Sequence, residues 1–175
     1  MQTSSHKRLT HFKVGDQVMH ASYGIGQIAA IEERRLSGRN SQLFYVVTIS
    51  KSTVWVPVNS DGASSLRLLV SNSALARYRA LLKSRPTPLN ANKQERFREL
   101  SDRLRAGSFE VLCEGVRDLS AHGWPKPLSE SEASLLRKTQ EAMCREWAAA
   151  AGVSTAQAGQ EITALLQQGR RTHNA

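Results

Sequence analysis

The sequence predicts an α+β protein: a small β-barrel of the SH3 or Tudor type at the N-terminus, followed by an all-α domain of about five helices. From Phe12 to about Leu69, short apolar runs rich in β-branched and aromatic residues alternate with turn signals, as strands require. Beyond Ser71, helix-start signals recur at intervals, each placing a cap residue three positions before an acid or an amide. We therefore expect two domains, 1–70 and 71–175.

The N-terminal domain is expected to contain five short strands. They cover Phe12–Gly15, Gln17–His20, Gln27–Leu36, Gln42–Ile49 and Thr53–Val58. Five strands in fewer than about 60 residues cannot form a large sandwich, but they suffice for a small, strongly bent barrel. Because proline has no amide hydrogen to donate, Pro57 limits its strand to an edge of the sheet or to a bulge.

The C-terminal domain is expected to contain helices near residues 72–84, 92–106, 108–122, 129–151 and 154–168. Three cap pairs mark helix starts, namely Asn92 with Glu95, Ser129 with Glu132, and Ser154 with Gln157. The stretches 84–90 and 123–127 each contain two prolines and are therefore predicted to be connectors. Trp147 is expected in the core, and residues 168–175 are expected to fray.

The chain is strongly basic and its charge is unevenly distributed. It has 24 Lys and Arg against 15 Asp and Glu, a formal net charge of +9, which favours an anionic partner such as nucleic acid. Residues 71–108 hold nine basic and three acidic side chains, so this segment carries +6 of the total. We expect a basic surface on the first helices, with a merely solvated helix face as the alternative.

Several functional classes are disfavoured by the sequence. The five histidines show no paired metal-ligand spacing, and no GxSxG motif or nucleotide-phosphate loop occurs. The two cysteines lie 31 positions apart, without the spacing of a zinc site. No apolar run approaches the ~18 residues of a membrane span. We expect a monomeric cytoplasmic protein that is not an enzyme and has no cofactor, metal, membrane or small-molecule substrate.

An ordered set of motifs in the first 70 residues resembles one family. The motifs are Phe12-Lys-Val-Gly-Asp16, Val18-Met-His20, Tyr23-Gly-Ile-Gly26, Val56-Pro-Val58 and Leu66-Arg67. They resemble the RNA polymerase-interacting domain shared by CarD and CdnL regulators and the transcription-repair coupling factor. The nucleotide-binding motor motifs of the coupling factor do not occur in this sequence. The stretches 116–119 and 128–132 instead resemble the C-terminal half of CarD-like proteins.

The resemblance implies that the barrel docks on the β subunit of bacterial RNA polymerase and acts as a tether. The residues that it implicates are Arg34, Val54, Trp55, Val56 and Pro57. Some members have arginine where this chain has Trp55, a change that exchanges a salt bridge for an apolar or cation–π contact. The alternatives are a solvated charge at Arg34 and a barrel-covering role for Trp55.

The resemblance also implies that the helical domain meets promoter DNA at the upstream edge of the bubble and modulates open-complex stability. Some members insert a tryptophan into the minor groove from a position that Lys93 occupies here, where only a charge can be supplied. Phosphate-dominated contact without sequence specificity is therefore predicted. The residues predicted to make it are Arg85, Lys93, Arg96, Arg98 and Arg103, with Trp124 as a substitute for the missing aromatic group.

Arg96 and Arg103 are seven positions apart and are expected to share an outward face of one helix, opposite an apolar stripe. Packing of Trp124 between helices is the alternative to a role on DNA.

Two other functions are compatible with the sequence. One is a general nucleic-acid-binding adaptor, for example a ribosome-associated barrel protein, which the net charge equally permits. The other is an adaptor that binds polymerase without a role on promoter DNA. The chain is expected to associate with the nucleoid.

Overall fold

The computed structural model describes residues 12–35, 40–59, 65–105 and 107–173. Within these ranges the chain forms five strands followed by a short 3-10 turn and five α-helices, which confirms the predicted α+β class. Two compact units are present, Met1–Leu69 and Val70–Ala175. None of the helices in these ranges combines the length and apolar character that a bilayer span requires.

The N-terminal unit is built on one antiparallel sheet with the strand order β4-β3-β2-β1-β5. The strands are β1 (Gln17–His20), β2 (Gly24–Arg35), β3 (Ser41–Ile49), β4 (Ser52–Pro57) and β5 (Leu66–Leu68). A register shift between Ile28 and Ala30 places a bulge in the long strand β2, and such a bulge increases strand twist and bending. Strand β4 lies at the edge of the sheet, as Pro57 predicts.

The predicted first strand at Phe12–Gly15 is wrong, because this segment forms a turn. The Asp16 carboxylate accepts a hydrogen bond from the Lys13 amide (2.8 Å), and Gly15 adopts a φ of 94°. Phe12 still reaches the core, with its ring centre 5.3 Å from that of Tyr45. The fifth strand is β5 instead, whose three residues are too few to show a pattern in the sequence. The predicted end of β2 at Leu36 lies outside the described residues.

The barrel core is formed by inward-facing residues from every strand and from the N-terminal turn. Its buried members are Phe12, Val18, Ile28, Tyr45, Val47, Val56, Val58 and Leu66. Gly26 lies where β2 passes close to β3. A Cβ atom at this position would lie 2.6 Å from Cγ1 of Ile49 and 2.7 Å from Cγ1 of Val47. Close approach of two strands therefore explains this glycine.

Gly26→Ala is expected to lower the free energy of unfolding by about 1–3 kcal/mol, because the added methyl group overpacks the contact with β3. Urea unfolding measures the change. Gly159→Ala is the matched control, since its Cβ would meet only Sγ of Cys144 at 3.7 Å and alanine favours the helix. A Gly26→Ala variant as stable as the wild type would contradict the close approach.

The C-terminal unit contains the five predicted helices. They are α1 (Leu75–Lys83), α2 (Lys93–Arg105), α3 (Phe109–His122), α4 (Glu130–Ala151) and α5 (Thr155–His173). The expected fraying of residues 168–175 is wrong for residues 168–173, which belong to α5, and residues 174 and 175 lie outside the described residues. Gly169 packs against the backbone of Leu82 and Lys83, and Nε2 of His173 lies 3.2 Å from the Lys83 carbonyl oxygen. These contacts hold the last turn of α5 against the end of α1.

Cap residues start the helices where the sequence places them. Ser154 and Gln157 form a reciprocal capping box, since each backbone amide donates to the other's side chain (3.0 and 3.1 Å). Asn92 accepts from the Glu95 amide at 3.1 Å, but the Glu95 carboxylate bonds to Asn90 Nδ2 instead of returning to Asn92. Trp147 is fully buried, as predicted, and its indole N–H donates to Glu161 (3.0 Å).

Candidate functional site

Arg34 and Trp55 lie together on the outer face of the barrel. The Arg34 guanidinium carbon is 4.6 Å from the centre of the Trp55 ring. Oε2 of Glu32 accepts from Arg34 Nη2 at 3.3 Å and from the Trp55 indole N–H at 3.4 Å. Trp55 is 42% exposed, which is high for so large an apolar side chain. The three side chains form one exposed cluster, called here the Arg34–Trp55–Glu32 cluster.

The other implicated residues of β4 divide between the two faces of the strand. Val56 is 2% exposed and packs in the barrel core, and Val54 packs against that core from a half-buried position. Their side chains therefore do not belong to the exposed surface. Trp55 and Pro57 are exposed, as the period of two in a strand requires.

The outer edge of β4 carries backbone groups that β3 does not use. The Val58 amide donates to the Leu43 carbonyl (2.9 Å), so alternate residues of β4 direct their hydrogen-bonding groups at β3. The groups of Thr53 and Trp55 consequently point outwards. Within the described ranges no strand pairs with this edge. The edge and the Arg34–Trp55–Glu32 cluster together form a continuous candidate interface.

In the helical unit, four of the predicted DNA-contacting residues line one cleft. They are Arg85, Lys93, Arg96 and Trp124, and the cleft has a volume of about 730 Å³. Its walls come from the two proline-containing connectors and from the ends of α2, α3, α4 and α5. Lys126, His122 and His173 also line it, and the whole is called here the basic cleft.

Arg96 is not on the surface. Its side chain is 8% exposed, its guanidinium lies 2.7 Å from a Glu132 carboxylate oxygen, and it also donates to the carbonyl oxygens of Asn90 and Ala91. The expectation that Arg96 shares an outward charged face with Arg103 is therefore wrong. Arg96 instead ties the start of α2 to α4 and stabilises one wall of the basic cleft.

Glu132 is the acceptor at the centre of this network. Burial alone would raise the pKa of Glu132, but hydrogen bonds from the Ser129 side chain and backbone and from Arg96 outweigh it and lower the pKa to about 2. The Ser129 bonds are 2.6 and 3.0 Å long. The carboxylate therefore stays ionised well below the pH at which an exposed glutamate takes up a proton, and it neutralises Arg96.

Acidic partners offset much of the predicted basic surface. Arg103 pairs with Glu114 at 2.7 Å and Arg105 lies 3.6 Å from Asp102. Further ion pairs join Arg77 to Glu110 and Arg79 to Glu161. In the part of the chain that the structure describes, the exposed cations without an acidic partner include Arg85, Lys93, Arg98 and Lys126.

Some residues of these sites were not predicted from the sequence. Lys126 lies in the Trp124–Pro127 connector, and its charge beside a tryptophan was the available signal. Glu32 lies two residues before Arg34, but nothing in the sequence indicates that its carboxylate accepts a hydrogen bond from Trp55. Arg170 lies 5.9 Å from the Trp124 ring, and no local pattern predicts that contact between α5 and a distant connector.

Comparison with known proteins matches both units. Residues 12–69 match the family model described as the CarD-like/TRCF RID domain, and residues 78–163 match that of the CarD C-terminal domain. A Bacillus subtilis (strain 168) protein named "Putative transcription factor YdeB" is 25% identical over 147 residues, which cover 83% of this chain and 96% of that protein. The family comprises transcription factors, and RNA polymerase binding is general in it. With its two halves matched in order, the chain belongs to the CarD family.

Proposed function

We propose that this chain binds the β subunit of RNA polymerase through the barrel and contacts promoter DNA near the upstream edge of the bubble through the basic cleft. Its effect is to modulate the stability of the open complex. The observation that carries the proposal is the joining of Arg34 and Trp55 in one exposed cluster beside the open edge of β4.

The barrel surface has the features of a protein-binding site. Exposed tryptophan and arginine side chains are the residue types that dominate binding energy at protein interfaces. The open edge of β4 can accept a strand of the partner, which adds main-chain hydrogen bonds beside the side-chain contacts. Glu32 fixes the geometry of both side chains before binding, and such preorganisation lowers the entropic cost of association.

The basic cleft supplies the DNA contact. Arg85, Lys93 and Lys126 lie around one opening, and of the carboxylates that line the cleft, Glu132 and Asp118 are both buried. The exposed charge around the opening is therefore positive. Contacts of this kind are made to phosphates and carry no base specificity of their own. Arg98 and Arg103 extend the surface along α2, although Glu114 offsets the charge of Arg103.

The two contacts together explain how a non-enzymatic protein can alter initiation. The barrel holds the chain on polymerase, so the basic cleft acts at a high effective concentration beside the bubble. Binding to the open state more tightly than to the closed state shifts the equilibrium towards opening. The chain would then reside with polymerase on the nucleoid.

The decisive experiment measures open-complex lifetime and transcript yield on several promoters with purified polymerase. The triple variant Arg85→Glu, Lys93→Glu, Lys126→Glu is expected to keep polymerase binding but to lose the effect on lifetime. Its matched control reverses Arg137, Lys138 and Arg145, which are exposed on α4 and do not line the cleft. Equal lifetimes with the wild type and the cleft variant would remove the DNA role.

Salt dependence gives a second measurement of the DNA contact. The logarithm of the binding constant for duplex DNA falls linearly with the logarithm of the salt concentration. If Arg85, Lys93 and Lys126 each neutralise one phosphate, each contact makes this slope steeper by about 0.9. We expect the triple variant to flatten the slope by about 2–3, and the α4 control variant to leave it unchanged. Fluorescence anisotropy across a salt series measures both slopes.

The ion pairs of the helical unit favour a second candidate, an adaptor on polymerase or the ribosome without a role on promoter DNA. Arg77, Arg79 and Arg103 are each neutralised by a glutamate, so the net charge overstates the free positive surface. Binding of purified β subunit together with open-complex lifetimes that do not respond to the protein would favour a polymerase adaptor. Failure to bind polymerase, with capture of ribosomes, would favour the ribosomal one.

A further inference from the structure

We propose that the basic cleft holds a single unpaired nucleotide, with its base stacked on Trp124, a base N–H donating to Oδ2 of Asp118, and its phosphate on the cationic rim. The inference rests on the proposed DNA role for the anionic part of the ligand. It adds a base-binding pocket, which phosphate contact alone does not require.

Asp118 provides an acceptor that the protein itself does not use. The residue lines the cleft, is 1% exposed, and directs Oδ1 at the Arg117 Nε (2.7 Å) and the Thr87 amide (2.9 Å). Its Oδ2 is buried and has no hydrogen-bond partner among the described residues. Leaving a buried carboxylate oxygen without a donor is costly, and a ligand that enters the cleft lined by Asp118 can supply one.

Hydrogen bonds around Arg117 hold the Asp118 carboxylate in a fixed position. Arg117 is buried beside it and also donates to Oγ of Ser84 (2.8 Å) and Oγ1 of Thr87 (3.2 Å). These bonds fix the connector that begins at Ser84 against α3. The free lone pairs of Oδ2 therefore have a fixed direction, as selection of one donor among several requires.

The cleft opening carries positive charge, in contrast to the buried carboxylate of Asp118. Arg85, Lys93 and Lys126 are exposed, whereas the carboxylates of Asp118 and Glu132 are buried. Glu132 is already satisfied by Ser129 and Arg96. A ligand that fits both zones has an anionic group at one end and an N–H donor at the other.

Trp124 and the connectors supply the apolar part of the site. Trp124 is half-buried, and the Arg170 guanidinium carbon lies 5.9 Å from its ring centre. Pro86, Pro88, Pro125 and Pro127 also line the cleft. Stacking on an aromatic ring is the usual way in which proteins hold unpaired bases. The volume of about 730 Å³ lies in the range of small-ligand pockets, about 300–1,000 Å³.

The Asp118 carboxylate is expected to favour some bases over others. Guanine places an N1–H and an amino group side by side, so it can meet a carboxylate without bringing an acceptor near it. The N3–H of thymine lies between two carbonyl oxygens, and these would face the negative charge of Asp118. We therefore expect guanine nucleotides to bind best and thymine nucleotides worst.

The test is a tryptophan-fluorescence titration of the full chain with the four nucleoside 5′-monophosphates and with inorganic phosphate, in a Trp55→Phe background that removes the exposed barrel tryptophan. Guanosine monophosphate is expected to quench the signal and to bind at least about tenfold more tightly than thymidine monophosphate or phosphate. Trp124→Leu should abolish the quenching. Equal affinity for phosphate and for guanosine monophosphate would reduce the cleft to an anion site and overturn the inference.

Asp118→Asn tests the acceptor itself, since an amide keeps the shape of the side chain and loses the charge. We expect it to abolish the preference for guanine, and a preference that persists in a folded variant would overturn the inference. If this variant fails to fold in a thermal melt, the Trp124→Leu titration and the order of base affinities decide. Those two measurements leave the Asp118–Arg117 pair intact.

Two further comparisons are needed. One distinguishes an exposed single strand from a free nucleotide as the source of the base, and the other distinguishes this inference from the proposed DNA role. A guanine-containing single-stranded oligonucleotide that binds more tightly than guanosine monophosphate would support an exposed strand as the source, and equal affinities would support a free nucleotide. Open-complex lifetimes are measured with the same variants. An intact effect on lifetime with no base preference overturns this inference alone, and base-selective binding without any effect on lifetime overturns the DNA role alone.

Discussion

Glu132→Ala is expected to lower the free energy of unfolding by about 3–5 kcal/mol, because it leaves the Arg96 guanidinium buried without its carboxylate. The same change removes the acceptor for the Ser129 amide at the start of α4. Water can compensate little for the lost ion pair, since the Arg96 and Glu132 side chains are only 8% and 3% exposed. Urea unfolding followed by the helical circular dichroism signal measures the effect.

Glu130→Ala is the matched control for this experiment. Glu130 lies in the same first turn of α4 but is exposed, so its loss removes only a favourable interaction with the helix dipole, about 0.3–1 kcal/mol. If the two variants were equally stable, the Arg96–Glu132 pair would have no structural role. Arg96→Ala should be about as destabilising as Glu132→Ala, because each removes one partner of the same buried pair.

The Arg96–Glu132 pair also gives the stability of the chain a defined dependence on pH. The pKa of Glu132 is about 2 in the folded chain, below the ~4.3 expected for an unfolded chain, so the unfolded state binds a proton more readily as the pH falls. The contribution, about 3 kcal/mol, is complete above about pH 5 and is lost as the pH falls through about 2. Glu132→Gln should flatten the stability profile in this window, whereas Glu130→Gln should not.

The second large effect is expected at the barrel. Arg34→Glu and Trp55→Ala should each raise the Kd for the polymerase β subunit at least about 30-fold, which corresponds to a loss of about 2 kcal/mol. Each substitution removes one partner of the Arg34–Trp55–Glu32 cluster and leaves Glu32 with only one of these two donors. Surface plasmon resonance with the purified β subunit measures the change.

Arg35→Glu is the control for charge reversal near the cluster. Arg35 is also exposed, and as the next residue of β2 it directs its side chain to the opposite side of the strand. Its reversal should change the Kd only modestly. Equal losses for Arg34→Glu and Arg35→Glu would indicate a general electrostatic effect of the barrel charge, and would contradict a local contact at the cluster.

Local signals in the sequence account for most of the architecture. The caps at Ser154 and Asn92 depend on hydrogen bonds within a few residues, and the edge position of Pro57 depends on its own missing amide hydrogen, so the sequence reveals them. Strand β5 was missed because three residues carry no periodicity. The turn at Phe12–Gly15 was mistaken for a strand because its apolar residues are those of a core segment, while the Asp16 bond that bends it is not apparent from a pattern.

The candidate sites were harder to predict, because they depend on pairing between distant segments. Arg96 and Arg103 have the same position on a helical wheel, but Glu132 of α4 buries the first and Glu114 of α3 leaves the second exposed at the surface. No property of α2 alone distinguishes them. Likewise, the sequence does not show that Oδ2 of Asp118 lacks a donor. This follows from the folded structure, in which the Thr87 amide of the distant connector donates to Oδ1.

Pro57 has a consequence for the behaviour of the chain at high concentration. An open sheet edge is a template on which identical chains can stack into aggregates. At the outer edge of β4 the row of donors ends at Trp55, because Pro57 has no amide hydrogen and its register position faces away from β3. Thr53 and Trp55 still offer a short strip of hydrogen-bonding groups. The edge is thus long enough for one added strand of a few residues and too short to seed a fibril.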